Sequence, residues 1–296
     1  MRIRDFILAA FAVVAMSSCS LYADIVIANN FDGVADDTGP AFQLLTNSAT
    51  SGSTFDATTG VVNVTGNLVN GGLNASTNAA GFNSVSLAPL AADVESITAT
   101  FVIDSVDDVL FTRSNGFFLG LITGVDGPND NPTDSDGGGL FNNAGPASVG
   151  LRFNSGNTPT SALTAIQLVT DPEDLTGTAG ANVVLQSGAV PSAASVNDGF
   201  TFVLTLNNDG TLDASTTGLS TDISATGVAF SAPSFADFLT NGIGVNSTFQ
   251  GAGPDPGQGG FTIDSVTVHA AVAVPEPSSL ALLGLASLGL VTRRRR

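Results

Sequence analysis

Residues 200–215, FTFVLTLNNDGTLDAS, carry the clearest fold signal in the chain. Phe200, Phe202, Leu204 and Leu206 recur at every second position, which is the pattern of a β-strand with one buried face. The polar turn sequence at 207–210 ends in glycine, and a return strand follows it. The stretch therefore predicts a β-hairpin with one side packed in a hydrophobic core.

The same alternation predicts further strands. Ile97, Ala99, Phe101 and Ile103 share one face of residues 96–103. Other strands are predicted at 25–28, 61–64, 117–122, 149–153, 165–169, 183–185, 243–246 and 261–268.

Two local features stand out from this pattern. Between Ile263 and Val266 the apolar phase shifts, which predicts a β-bulge near Asp264 and Ser265. Residues 234–239 predict a short helix with Ser234 as its N-cap.

Composition agrees with an all-β fold. The 296 residues are 43% hydrophobic and include 34 glycines, which suits many short strands joined by turns. Ten or more strands without intervening helices predict one domain over 24–272, built as a two-sheet antiparallel sandwich. A β-helix is the alternative, although no fixed repeat period is seen. The order of elements resembles the concanavalin A-like jelly roll of laminin-G and lectin domains, and sugar binding follows only as an analogy with that fold.

The first 23 residues predict an export signal. Arg2 and Arg4 precede an apolar stretch at 6–16, and small residues lead to a cleavage site between Ala23 and Asp24. This layout implies a signal helix and passage through the Sec export machinery. Cys19, the single cysteine, follows a sequence that resembles a bacterial lipobox, so a lipid-anchored adhesin is an alternative.

The other end, residues 273–296, predicts a second targeting segment. Val274, Pro275, Glu276 and Pro277 precede an apolar stretch at 278–291, and the cluster Arg293, Arg294, Arg295 and Arg296 ends the chain. As a helix the apolar stretch spans about 21 Å. That is short for a hydrocarbon core of about 30 Å, and the arginines favour the cytoplasmic side. We therefore expect a short transmembrane helix that is inserted transiently in the inner membrane.

This arrangement closely resembles the PEP-CTERM sorting signal. The resemblance implies processing near Pro-Glu-Pro by an exosortase, then delivery to the cell surface or an exopolysaccharide matrix. Pro275, Glu276 and Pro277 are then recognition residues for that enzyme, and exopolysaccharide is an expected partner.

Charge is distributed very unevenly. Between residues 24 and 274 only Arg113 and Arg152 oppose 24 acidic residues, which leaves a formal charge of −22. Such a domain repels nucleic acid, so no nucleic-acid partner is expected.

One loop has the composition of a cation site. Asp130, Asp134 and Asp136 precede a glycine, and calcium takes six to eight oxygen ligands. Pro132 and the lack of a closing glutamate break the EF-hand pattern. A calcium site is thus one interpretation and a solvated loop is the other, with no further cofactor expected.

Enzymatic signals are weak. Glycoside hydrolysis needs two carboxyl groups, usually about 5 to 10 Å apart. Glu95 and Glu173 are the only glutamates between residues 24 and 274, and neither lies in a Glu-x-Asp-x-x-Glu pattern of the laminarinase type. The predicted function is a secreted, non-enzymatic surface or matrix protein with weak carbohydrate binding. A glycoside-active enzyme of the same fold is the alternative.

The first residue of the mature protein distinguishes cleavage between Ala23 and Asp24 from lipid attachment at Cys19. Mass spectrometry of the exported protein should find a first residue of Asp24, because the small residues before it fit a signal cleavage site. A diacylated N-terminus at Cys19 would contradict this prediction.

Overall fold

The computed structural model describes residues 21–34, 37–39, 41–46, 54–64, 71–75, 87, 93–106, 117–123, 147–155, 163–171, 183–249 and 259–273. These residues form fifteen strands and two short helices. The strands make two antiparallel sheets whose inward faces share one hydrophobic core. The predicted two-sheet sandwich is thus confirmed, and the β-helix alternative is excluded.

The first sheet has eight strands. Its order is β13-β12-β11-β6-β15-β4-β3, and β1 also pairs with β15. The strands are β1 (Leu21–Asn29), β3 (Thr54–Asp56), β4 (Val61–Val64), β6 (Val94–Val106), β11 (Phe200–Asn207), β12 (Thr211–Thr217), β13 (Ser224–Ala229) and β15 (Gly259–Ala273).

The second sheet has seven strands in the order β10-β9-β8-β7-β14-β5-β2. They are β2 (Phe42–Thr46), β5 (Gly71–Ala75), β7 (Phe117–Thr123), β8 (Ser148–Ser155), β9 (Leu163–Asp171), β10 (Val183–Gly188) and β14 (Ile243–Phe249). Every strand pairing in both sheets is antiparallel.

The two helices, α1 (Ala193–Asn197) and α2 (Phe235–Asn241), lie in connections between strands. Ser234 caps α2 as predicted. Its side chain accepts a hydrogen bond from the Asp237 backbone amide, and the Asp237 carboxylate accepts one from the Ser234 backbone amide.

Helix α1 was not predicted, because five residues are too few to show a helical period. Neither helix is long and apolar enough to cross a membrane, and this holds for the described residues only.

Aromatic rings join the two sheets across the core. The rings of Phe153 and Phe200, from β8 and β11, have centroids 5.2 Å apart. Those of Phe117 and Phe261, from β7 and β15, are 5.1 Å apart. The alternating phenylalanines of the sequence therefore fill the space between the sheets, as a sandwich core requires.

The predicted bulge in β15 is confirmed, and β6 carries a matching one. Thr262 pairs with Ser105, Ile263 with Ile103, and Ser265 with Val102, so Asp104 and Asp264 are both left out of register. Each bulge shifts the phase of its strand by one residue. Residues on both sides of the shift therefore face the core, as the burial of Ile263 and Val266 shows.

The sheet order places both ends of the described chain together. Leu21, at the start of β1, pairs with Ala273, at the end of β15. Ser96 pairs both with Ala271 and with Asn207, so the β11–β12 turn lies at this same end of the sandwich. We call it the terminal end, and the opposite end, near Val106 and Gly259, the distal end.

Stacked rings on neighbouring strands give a direct test of the core. Phe101 and Phe202 stack with centroids 5.8 Å apart, and neither side chain is exposed. Replacement of Phe202 by alanine should lower the free energy of unfolding by about 3–5 kcal/mol, since it leaves a cavity. Urea unfolding measures the change.

The matched control is Thr201→Ala. Its side chain lies on the other face of the same strand and is half-buried, so the expected loss is below about 1 kcal/mol. Equal losses for the two variants would contradict the assignment of core and outer faces.

Candidate functional site

A shallow depression of about 400 Å³ lies at the distal end of the eight-stranded sheet. We call it the distal depression. Four segments that are far apart in the sequence line it: β4, the end of β6, the end of α1 and the start of β15. The lining residues are Val61, Val62, Asn63, Ser105, Val106, Asn197, Gly260, Phe261 and Thr262.

Strand alternation determines which of these residues face outward. Val62, Val106 and Phe261 point into the core and are at most 2% exposed. Their neighbours Asn63, Ser105 and Thr262 therefore lie on the outer face, where Asn63 is exposed and the other two are half-buried. The outward groups are thus an amide and two hydroxyls beside the half-buried Val61.

Gly260 forms part of the floor of the depression. A Cβ atom placed there would lie 2.4 Å from the carbonyl oxygen of Val62, on the neighbouring strand. Only glycine tolerates such a close backbone approach, so the sheet requires glycine at this position.

Asn197 closes the depression on the side of α1. With its amide nitrogen turned toward two carbonyl groups, Asn197 donates to Val106 O at 2.7 Å and to Ala193 O at 3.1 Å. These bonds attach the end of α1 to the end of β6. Val196, the preceding residue of the helix, is buried in the core and fixes α1 to the sandwich.

The outer face of the seven-stranded sheet has a different character. Gly120 and Gly150 are paired across β7 and β8, and a Cβ at either position would come within 2.8 Å of the Phe118 ring tip. Arg152 Nη2, on this face, donates to Gln167 Oε1 at 2.6 Å. Phe118 is not exposed to solvent, so its ring offers no platform to a ligand.

Two aspartates organise turns elsewhere in the eight-stranded sheet. The Thr58 hydroxyl donates to Asp56 Oδ1 at 2.7 Å and the Thr58 amide at 2.9 Å, in the turn between β3 and β4. The Thr211 hydroxyl and amide donate to Asp209 Oδ1 at 2.6 and 2.9 Å, in the β11–β12 turn. These bonds, with the hydroxyl contribution the larger at both sites, hold the pKa of each carboxyl below its ordinary value.

Most of the residues predicted as sites lie outside the described part of the chain. Asp130, Asp134 and Asp136 lie outside the described residues, so the calcium site stays a prediction. Val274, Pro275, Glu276, Pro277 and the arginines 293–296 also lie outside them. No cluster of three or more histidine, cysteine, aspartate or glutamate side chains occurs within the described ranges. Asp24 lies within β1 and pairs with Ala270, while Ala23 pairs with Ala271.

Sequence reasoning located the strands that line the distal depression but not the depression itself. Its polar lining side chains come from positions 63, 105, 197 and 262. Nothing in the spacing of these residues shows that they meet, since strand order alone brings them together.

Fold and site together define an all-β sandwich protein with a shallow polar depression at one end and both described termini at the other. Residues 273–296 match the model of the PEP-CTERM protein-sorting motif. The chain therefore carries this motif at its C-terminus, which indicates a secreted protein that is processed by an exosortase. No curated protein matches the sequence.

Solved structures with a similar arrangement include legume lectins. Peanut lectin with a nine-residue peptide is 14% identical, with a TM-score of 0.46, and the match covers 86% of this chain and 100% of the lectin. Arcelin-5, a lectin-like defense protein from Phaseolus vulgaris, is 9% identical, with a TM-score of 0.47 and coverages of 85% and 99%. The exoplasmic/lumenal domain of VIP36 in a Ca²⁺/Man3GlcNAc-bound form is 11% identical, with a TM-score of 0.43 and coverages of 81% and 90%. At these values the likeness carries no argument about a ligand.

The Thr211 hydroxyl should contribute the largest part of the depression of the Asp209 pKa. Thr211→Val removes the hydroxyl donor but keeps the backbone donor, so the pKa should rise toward its ordinary value. A carboxyl-carbon NMR titration measures the shift, and Asp56 in the same sample is the control. Because the folded pKa is depressed, the stabilisation that Asp209 contributes is present above the unfolded pKa and lost as pH falls through the folded pKa. An unchanged midpoint for Asp209 would contradict this account.

Proposed function

We propose that the chain is a secreted, non-enzymatic protein of the cell surface or exopolysaccharide matrix that binds neutral polysaccharide weakly at the distal depression. The observation that carries the proposal is the position of the sorting motif. The match begins at residue 273, which is the last residue of β15. The sandwich is thus the exported cargo, delivered through the exosortase and transiently held in the inner membrane by the C-terminal segment.

The chemistry of the distal depression supports a sugar ligand. Asn63, Ser105 and Thr262 offer both donors and acceptors, which suits the hydroxyl groups of a sugar ring. Val61 offers a small apolar surface to the C–H groups of the ring. The depression is shallow, and no tryptophan occurs in the chain, so only weak binding is expected.

Charge favours a neutral polysaccharide over an acidic one. The domain between residues 24 and 274 carries a formal charge of −22. A surface of this charge repels uronic-acid or sulfated chains, and the repulsion weakens as salt is added.

The glycoside-active alternative finds less support in the lining of the depression. Hydrolysis needs a carboxylic acid and a second carboxylate on either side of the scissile bond. None of the residues that line the distal depression carries a carboxyl group. We therefore propose binding without turnover.

A glycan array with the exported protein tests the proposal. Neutral polysaccharides should bind with a Kd of about 1 mM, which corresponds to about −4 kcal/mol and suits a shallow polar site. Asn63→Ala and Thr262→Ala should each weaken binding about fivefold, since each removes one or two hydrogen bonds.

The matched control is Asn208→Ala. Asn208 is exposed at the terminal end, where its amide donates to Glu95 Oε2 at 2.7 Å. This variant should bind like the parent. Absence of binding to every neutral glycan, or equal weakening by Asn208→Ala, would contradict sugar binding at the distal depression.

Arrays with calcium and with a chelator are run in parallel, because a calcium requirement would place the ligand at the loop of Asp130, Asp134 and Asp136.

A further inference from the structure

The terminal end of the sandwich contains a strand pairing that signal cleavage would alter. In the register of β1 against β15, Leu21 pairs with Ala273, Tyr22 with Val272, and Ala23 with Ala271. Asp24 is the first residue beyond the predicted cleavage site, and it pairs with Ala270. The three residues that partner the last three residues of β15 are therefore the last three of the predicted signal.

Cleavage is a hydrolysis of the Ala23–Asp24 amide bond. Water enters the bond, Ala23 leaves with a carboxylate, and Asp24 keeps a free amine. The rest of β1 stays in the sheet through its pairs with residues 266–270. On the β1 side, the backbone amides and carbonyls of 271–273 then have no partner strand.

The opposite side of the same segment stays fixed. Ala271 pairs with Ser96 and Val272 with Val94, both on β6. Residues 271 and 272 are thus held extended by β6, while the β1 side of residues 271–273 is open after cleavage. We call this the exposed edge.

The exposed edge is continuous with the sorting motif. The match to the motif begins at Ala273, the residue at which β15 ends. Only Val274 separates the end of β15 from Pro275 in the sequence, so an enzyme that reaches the Pro-Glu-Pro segment also meets the exposed edge.

We propose that the exosortase docks by adding an extended segment of its own to the exposed edge, in the place that residues 21–23 occupy before cleavage. This inference rests on the proposed sorting function and adds to it both a docking surface and an order of events. Removal of the N-terminal signal opens the surface that C-terminal processing requires.

A general property of sheet edges and the composition of this edge favour this occupant. Strand addition takes its affinity from backbone hydrogen bonds, and a free sheet edge is the surface that it uses. Residues 271–273 are alanine, valine and alanine, whose small side chains limit steric hindrance to an added strand. A second copy of the chain is the competing occupant, because free edges also pair with one another.

The experiment keeps the exposed edge covered in the exported full-length chain. In the covered variant, Ala-Ser-Ala is inserted between Ser20 and Leu21, and Ala23→Val closes the original site. The mature chain then begins at Leu21 and retains its pairs with 271–273. The matched control carries the same changes plus Tyr22→Pro, because proline lacks the backbone N–H and does not fit within a paired strand.

All three proteins are expressed with the cognate exosortase, and loss of the C-terminal segment is followed by intact mass. The covered variant should be processed about tenfold more slowly than the parent, since several backbone hydrogen bonds to the enzyme are lost. The proline control should return to the parent rate. Urea unfolding of the covered variant and of the proline control establishes that both fold.

Equal rates for parent and covered variant would overturn the docking surface while leaving the sorting function intact. A proline control that is processed as slowly as the covered variant would also overturn the docking surface. So would a parent that dimerises through the exposed edge and is processed at the rate of the covered variant. A parent that never loses its C-terminal segment would overturn the sorting function itself. A mature N-terminus at Cys19 would also overturn the inference, because residues 21–23 would then remain.

Discussion

The antiparallel pairing of β6 with β15 is the constraint on which the rest of the structure depends. These are the longest described strands, of 13 and 15 residues, and both lie inside the eight-stranded sheet. Strand β11 attaches to β6, while β1 and β4 attach to successive parts of β15. A slip of one residue in this pairing would turn the core face of one of the two strands to solvent. The paired bulges at Asp104 and Asp264 are therefore part of the register, since they shift both strands together.

The strands that could be predicted from sequence are those with one clear apolar face. Phe200 to Leu206 and Ile97 to Ile103 alternate without interruption, and in the structure these faces form the core. Strand β5 contains two glycines and β13 one, while β3 has only three residues, so their side-chain patterns were too weak to recognise. The bulge in β15 was visible because the apolar phase changed. The matching bulge in β6 was not visible in the sequence, since the polar residues Asp104 and Ser105 are typical of the end of a strand.

The candidate site was less predictable than the fold, for a physical reason. A sorting motif is read along the chain, so the prolines, the apolar stretch and the arginines are visible in order. The distal depression depends instead on the close approach of two strands at Gly260 and on a helix of five residues that brings Asn197 to the end of β6. Asn63, Ser105 and Thr262 are unremarkable polar residues until sheet order makes them neighbours.

The sheet order also decides how the domain bears load. Strand β15 begins beside the distal depression and ends at Ala273, where the sorting motif starts. At about 3.3 Å per residue, its 15 residues span about 50 Å. If the proposed ligand is held at the distal depression and the C-terminus at the membrane, tension between them runs lengthwise along this one strand. Such tension acts on the hydrogen bonds to β6 in shear, so they resist together instead of opening one at a time.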